Sequence, residues 1–337
     1  MREVINVCSK RVLSHNPYQH YHFRHSNNFM FGWSTISVGV RVAVITLIWL
    51  GQAQAQVRGV YPLGMSATNS GVTPESGFTY SNLFLFYSRD QLKGPEGEIL
   101  SRGNNSILMD LNTFVWVCKR EILKGAKFSV SATLPFANNS LTSDSMGHIS
   151  GGAGFADSFY QPFILGWNKN RTAVKLAYGF LAPTGKFNTN ADDNVGSGYW
   201  TNTISSGQTI YLTKNKSTSV SAFQMFEFHG TQKGTDINPG DTLNIDYSLM
   251  QSIPLGDEIS LQLGLVGYNQ WQITDKNGPN ITPEQAEAHY KVNALGVASN
   301  FISPRRKLSL GLKYFNEFAN RSTFQGYSLQ ISASISF

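Results

Sequence analysis

The chain has 337 residues, with 27 Lys and Arg against 21 Asp and Glu and only two cysteines. Charged residues make up 14%, aromatics 12%, and 31 residues are glycine, while the mean hydropathy is −0.20. A helical membrane protein would be far more apolar, whereas a barrel whose strands are half polar averages out near a soluble value.

Residues 1–55 read as a leader ending in an export signal. The apolar run VAVITLIWLG follows Arg41 and precedes QAQAQ, where Ala53 and Ala55 form an A-x-A-like cleavage site before Gln56. Ten residues are too few for a helix to cross a hydrocarbon core, which takes about 20. Met30 offers a second start, and His15, His20, His22 and His25 in the leader match no standard metal spacing. Five of the 27 basic residues and one of the 21 acidic ones precede residue 56, so 22 remain against 20. The basicity belongs mostly to the leader, and no nucleic-acid footprint remains. Cys118 is then the single cysteine, which excludes an intrachain disulfide.

Residues 56–77 form a Gly- and Pro-punctuated segment, periplasmic or lumenal, and 78–337 a run of alternating strands. Twelve segments follow in order: 78–89, 105–118, 124–136, 154–168, 171–183, 198–213, 215–229, 240–253, 257–274, 288–302, 305–319 and 323–337. In GAKFSVSATLPF, Phe128, Val130 and Leu134 alternate with Lys127, Ser129 and Thr133; in NSILMDLNTFVWV, Ile107, Met109 and Leu111 oppose Asp110 and Asn112. DTLNIDYSL sets Leu243 and Ile245 against Asn244 and Asp246, and RRKLSLGLKY sets Leu310 and Leu312 against Ser309 and Lys313. The last strand carries Tyr327, Leu329, Ile331, Ala333, Ile335 and Phe337 on one parity and small polar residues on the other. QPFILGW and SVSAFQMFEF are apolar on both faces, and their orientation stays open.

These segments run about twice the usual 5 or 6 residues of a soluble strand, near what a tilted strand needs to span a bilayer. The connections alternate long and short from the first strand onward, as in a barrel with short periplasmic turns and longer external loops. The expectation is an all-β, closed antiparallel transmembrane β-barrel of about 12 strands; a secreted sandwich or solenoid is the alternative. If each apolar face meets lipid, Asp110, Lys127, Asp246, Gln270, Lys291, Lys313 and Glu317 line the lumen.

RGVYPLGMSATNSGVTPESGF, SVSATLPF, GFADSFYQPFILGW, LAYGFLAPTGKF and DYSLMQSIPLGDEISLQLGLVGYNQWQ together resemble the phenol-degradation meta-pathway family of transporter-like outer-membrane proteins, over nearly all of 57–337. The Ala182-Pro183-Thr184-Gly185 turn and the aromatic pair Tyr199-Trp200 are its most specific elements. The resemblance implies a channel or transporter for small, hydrophobic or aromatic compounds in the outer membrane of a Gram-negative bacterium. It implies as partners outer-membrane lipid, lipopolysaccharide, the barrel assembly machinery and a small-molecule permeant. No cofactor, metal or catalytic group is expected. The competing readings are a barrel without transport and a lipid hydrolase using His148 and Ser150, with Asp157 as the orienting group; no G-x-S-x-G elbow supports the latter. His229 and His289 stand apart from other ligand types in sequence.

Overall fold

In hydrocarbon the backbone has no water to bond, so a β-structure can span it only as a closed ring of strands. The computed structural model, which describes residues 58–143, 147–191, 193–256 and 258–337, has that form. The expected leader and export signal lie outside the described residues. In chain order the strands are β1 Gly77–Lys93, β2 Ile99–Ile122, β3 Ala126–Ser143, β4 Gly147–Phe155, β5 Ser158–Asn168, β6 Thr172–Ala182, β7 Thr201–Tyr211, β8 Thr218–His229, β9 Thr242–Pro254, β10 Ser260–Gln272, β11 Lys291–Ser303, β12 Leu308–Glu317 and β13 Thr323–Ser336. A one-turn helix α1, Pro283–Glu287, sits in the β10–β11 loop behind a capping box of Thr282 and Gln285.

Every pairing is antiparallel. β1 bonds β13 and β2, and the β2–β3 pairing closes the ring. β4 and β5 both lie along β3, with Phe155 opposite Phe136 and Phe159 opposite Thr133, so they are one stave broken at Ala156–Asp157. The barrel therefore has twelve staves.

Two stretches expected as loops, around 90–104 and 137–154, are largely ladder. β1 and β2 stay paired out to Lys93 and Ile99, and β3 and β4 out to Ser143 and Gly147. The apolar alternation ends where the lipid band would end. Hydrogen bonding between the strands does not, because a hairpin standing in water can be polar on both faces.

The outer surface carries an apolar band that includes Ile204, Leu249, Leu265, Val297, Leu312 and Ile331, all exposed. Aromatic clusters lie toward both ends of the staves: Phe78 with Phe114 and Phe337 at one, Phe86 with Tyr327 and Tyr314 at the other. Such girdles mark the two interfaces of a membrane barrel.

Inward parity follows the polar residues in β9, β12 and β13. Asn244, Asp246, Lys313, Glu317 and Gln330 are buried while Leu249, Leu310, Leu312 and Ile331 face out. β8, left open by its sequence, points Phe223, Met225 and Glu227 inward and Phe226 and Phe228 outward. In β5 a register shift between Tyr160 and Phe163 lets apolar residues serve both faces.

In β2 the assignment reverses. Leu111 and Val117 are buried while Leu108, Phe114 and Trp116 are exposed, so Asp110 and Asn112 share the outer face. There Asp110 accepts from Asn82 and Asn112, and Tyr80 donates to Asn112 at 2.6 Å. Lys291 is likewise outward, on the parity of the exposed Leu295 and Val297, because Val292 and Ala294 are buried against an apolar cluster with Tyr268 and Phe315. Both corrections have one cause: parts of this interior are apolar, so the apolar face of a strand is not always the lipid face.

Ile331 pairs with Leu312 and Phe84, between the two aromatic levels. Arginine there is expected to destabilise the barrel by ~2–4 kcal/mol, whereas Ser332→Arg on the inward parity should be tolerated. Urea unfolding of the refolded variants, read by heat-modifiable gel mobility, checks this; equal tolerance would place the lipid elsewhere.

Candidate functional site

A twelve-stave ring encloses more room than its own inward side chains fill. The segment 58–76 occupies part of it. Pro62, Gly64 and Gly71 keep it irregular, and its turns close locally through Met65 N to Pro62 O at 3.1 Å and Val72 N to Asn69 O at 2.9 Å. Irregular backbone inside a barrel must find side-chain partners. Three buried carboxylates supply most of them.

Glu317 accepts from Arg58 Nη1 and Nη2, at 2.9 and 3.1 Å, and also from Tyr87 at 2.6 Å, Tyr268 at 3.0 Å and Asn320 at 2.9 Å. Glu227 accepts the backbone amides of Val60 and Tyr61 at 2.9 and 2.8 Å, and Asn244 at 3.0 Å. Asp246 accepts the Tyr61 hydroxyl at 2.6 Å and the amides of Gly64 and Ser66 at 3.1 Å each. The carbonyls are met in turn. Lys313 Nζ donates to Gly64 and Met65 at 2.8 and 2.7 Å, and Gln330 to Leu63 at 2.7 Å. Gln270 donates to Asn244 at 2.7 Å and so braces the group that holds Glu227.

The approach is close enough to select glycine. A Cβ at Gly59 would stand 2.5 Å from the Glu227 carboxylate, and Gly64, at a φ of +79°, packs on the Phe315 ring. Further along, Gly71 N donates to Thr209 at 3.1 Å and Asn168 donates to the Thr73 carbonyl at 2.8 Å. β7 makes room there with small inward residues, Thr203, Ser205, Gly207 and Thr209.

The opposite wall is chemically different. Between the segment and the barrel wall lies a cavity of about 440 Å³, bordered mainly by β1–β6 and on its other side by Met225, Glu227, Gln270 and Glu317. Its apolar wall comes from Leu85, Ile107, Met109, Leu111, Pro135 and Phe159, faced by Leu63 and Met65 of the segment. Arg89, Asn139, Asp157 and Ser197 contribute polar groups to its lining. The stave break leaves Asp157 free of the ladder, and it accepts the amides of Gly185 and Ser197 at 2.9 and 2.6 Å, fixing the 183–200 loop.

Of the residues named from sequence, Asp246, Gln270, Lys313 and Glu317 converge on the segment. Lys127 lies on the inward parity of β3 beside the 123–125 turn and joins none of this network. Asp110 and Lys291 are on the outside. Sequence reasoning missed Arg58, Tyr61, Tyr87, Glu227 and Tyr268. The available signals were the charged head of the segment and a glutamate between Phe226 and Phe228.

For the hydrolase alternative, β4 places His148 opposite Thr142 and Ser150 opposite Ser140 in backbone register, their side chains lying outside the described residues. Asp157, its third group, is taken up by the two loop amides. His229 sits between Thr201 and Thr242, at 2.8 and 3.2 Å, and His289 pairs with Asp275 at 2.7 Å. Among the described residues no three His, Cys, Asp or Glu side chains gather as metal ligands.

Removing one partner of a buried ion pair strands the other charge, at a cost of ~3–5 kcal/mol, whereas replacing both with apolar groups is far milder. Glu317→Ala is therefore expected to lower barrel stability more than the double variant Arg58→Met/Glu317→Met. Denaturant midpoints of the two check it, and a double variant as unstable as the single one would contradict the network.

A family model described as the putative MetA-pathway of phenol degradation matches residues 89–333. Among solved structures, an outer membrane channel from Pseudomonas putida F1 is similar at a TM-score of 0.63 and 14% identity, covering 80% of this chain and 98% of that one. The β domain of the Bordetella autotransporter BrkA is similar at 0.50 and 10%, covering 78% and 100%. At these identities the likeness is one of fold, that of outer-membrane barrels. No curated protein matches in sequence. The family match spans well over half of the 337 residues, and the chain belongs to the putative MetA-pathway of phenol degradation family.

Proposed function

We propose that this chain is a channel of the Gram-negative outer membrane that admits small, hydrophobic or aromatic compounds. The observation that carries this reading is a cavity of about 440 Å³ beside the segment 58–76, whose wall has an apolar half from β1–β3 and a half bordered by Glu227, Gln270 and Glu317 of the network that holds the segment. Ligand pockets of small molecules fall in the range of about 300–1,000 Å³ and are lined mainly by apolar groups with a few placed polar ones. Apolar cavities of about 150 Å³ already hold benzene. A pore for ions or sugars would be lined by water-binding groups on all sides, and the wall of Leu85, Met109 and Leu111 offers them none.

The family supports the same reading through the pathway it is described by, since phenols and the compounds around them are small aromatics. The outward band and the exposed Phe337, its ring tilted against that of Phe78, fit a barrel inserted by the assembly machinery into lipid and lipopolysaccharide. The catalytic alternative lacks an orienting group at Asp157, and transport accounts for the enclosed volume without chemistry.

Cells expressing the protein should take up labelled naphthalene several-fold faster than cells without it. Met109→Trp, which fills the apolar half, should remove most of that gain while leaving heat-modifiable mobility intact. Uptake unaffected by the protein would sink the proposal.

A further inference from the structure

Arg89 lies on the inward parity of β1 and contributes to the cavity lining. Among the described residues it makes no hydrogen bond and no ion pair, and its Nε is buried without an acceptor. Its guanidinium stands 5.0 Å from the Tyr87 ring centroid and 5.3 Å from that of Phe324. Stacking on aromatic faces fixes a guanidinium in place and leaves its donor edge for another partner.

No carboxylate nearby is free to serve. Arg58, also 5.0 Å from the Tyr87 ring, takes both oxygens of Glu317, which the Tyr87, Tyr268 and Asn320 side chains and the Gly326 amide saturate further. Asp157 is engaged by the Gly185 and Ser197 amides. Asp90 lies on the opposite parity of β1 and accepts from Ser88 at 2.7 Å. Glu317 thus answers Arg58 alone, and the positive charge of Arg89 is left without a partner where an apolar wall begins. A second unmet group stands beside it. Ser328, whose Oγ is buried without a partner, pairs with Tyr87 across β1–β13, two residues from the Gly326 that pairs with Arg89, and also lines the cavity.

We propose that the cavity binds an amphiphilic anion: a carboxylate head on Arg89, assisted by the Ser328 hydroxyl, with an apolar chain or ring against Leu85, Met109 and Leu111. A bidentate guanidinium–carboxylate pair satisfies the donor edge that the protein leaves open, and the wall beyond it gains nothing from a polar body. The inference rests on the proposed function, since it assigns a ligand class to the same cavity. It adds a head-group requirement that an apolar cavity alone does not impose.

The test uses the full barrel in nanodiscs at pH 8 and two matched pairs of probes, decanoate with decanol and 3-phenylpropionate with 3-phenylpropanol. Calorimetric titration corrected with empty nanodiscs reads the affinities. Each acid is expected to bind at least tenfold more tightly than its alcohol. Arg89→Gln should bring acid and alcohol to within about twofold by weakening the acid alone, and Arg89→Lys should keep part of the preference, with heat-modifiable mobility certifying both barrels. A preference confined to one pair would identify the body as chain or ring while supporting the anion site. Acids and alcohols binding alike to the unmodified protein would overturn this inference and leave the proposed function standing, and so would an acid preference that survives Arg89→Gln. Binding of none of the four probes would overturn both.

Discussion

The constraint beneath everything else is that backbone N–H and C=O groups in hydrocarbon must bond one another. It forces the strands to close, and closure at twelve staves creates an interior too wide for inward side chains to fill. The interior is then a second problem, solved by drawing residues 58–76 inside. That solution creates a third, because an irregular segment brings unpaired backbone groups of its own into a desolvated space. The buried carboxylates of Glu227, Asp246 and Glu317, with Lys313 and Gln330, answer the segment's donors and acceptors in kind.

These groups are poor stabilisers in isolation. Removing a carboxylate from water costs several kcal/mol, and the pairing gains roughly that much back. What they supply is position. Five partners on Glu317 and three on Asp246 fix the path of the segment along one wall, so that the room left over collects on the other side. The Tyr87 ring stands at the boundary. Its hydroxyl serves the polar network, and its face carries the two arginines.

The lumen is therefore uneven: the network of Glu227, Asp246 and Glu317 holds the segment, apolar side chains of β1–β3 wall the cavity beside it, and a second apolar cluster packs around Val292 and Phe315. An apolar permeant needs such a surface, and a segment held only by side chains in the lumen can be displaced without breaking any bond of the barrel ladder. The stave break at Ala156–Asp157 belongs to the apolar side and is tied to the 183–200 loop through Asp157.

Much of this was legible in the chain. Period-two alternation located the staves, because a strand between two media must present two faces. The last strand shows the rule at its clearest, with Ile331 and Phe337 outward and Ser328 and Gln330 inward. Asp246, Gln270, Lys313 and Glu317 were readable as inward groups since their strands have a polar interior to face. Asp110 and Lys291 were misread for the converse reason: alternation reports that two faces differ, and says nothing of which one meets lipid when the lumen beside Met109 or Val292 is itself apolar. The loop hairpins 90–104 and 137–154 were hidden because a ladder in water needs no apolar signal. Length, strand number and the identity of the two faces are properties of the local chain, set by sterics and burial one strand at a time. Which carboxylate meets which amide of the segment, and that Arg89 is left without one, depend on residues up to 259 positions apart brought together by closure, as Arg58 and Glu317 are, and only the tertiary structure decides them.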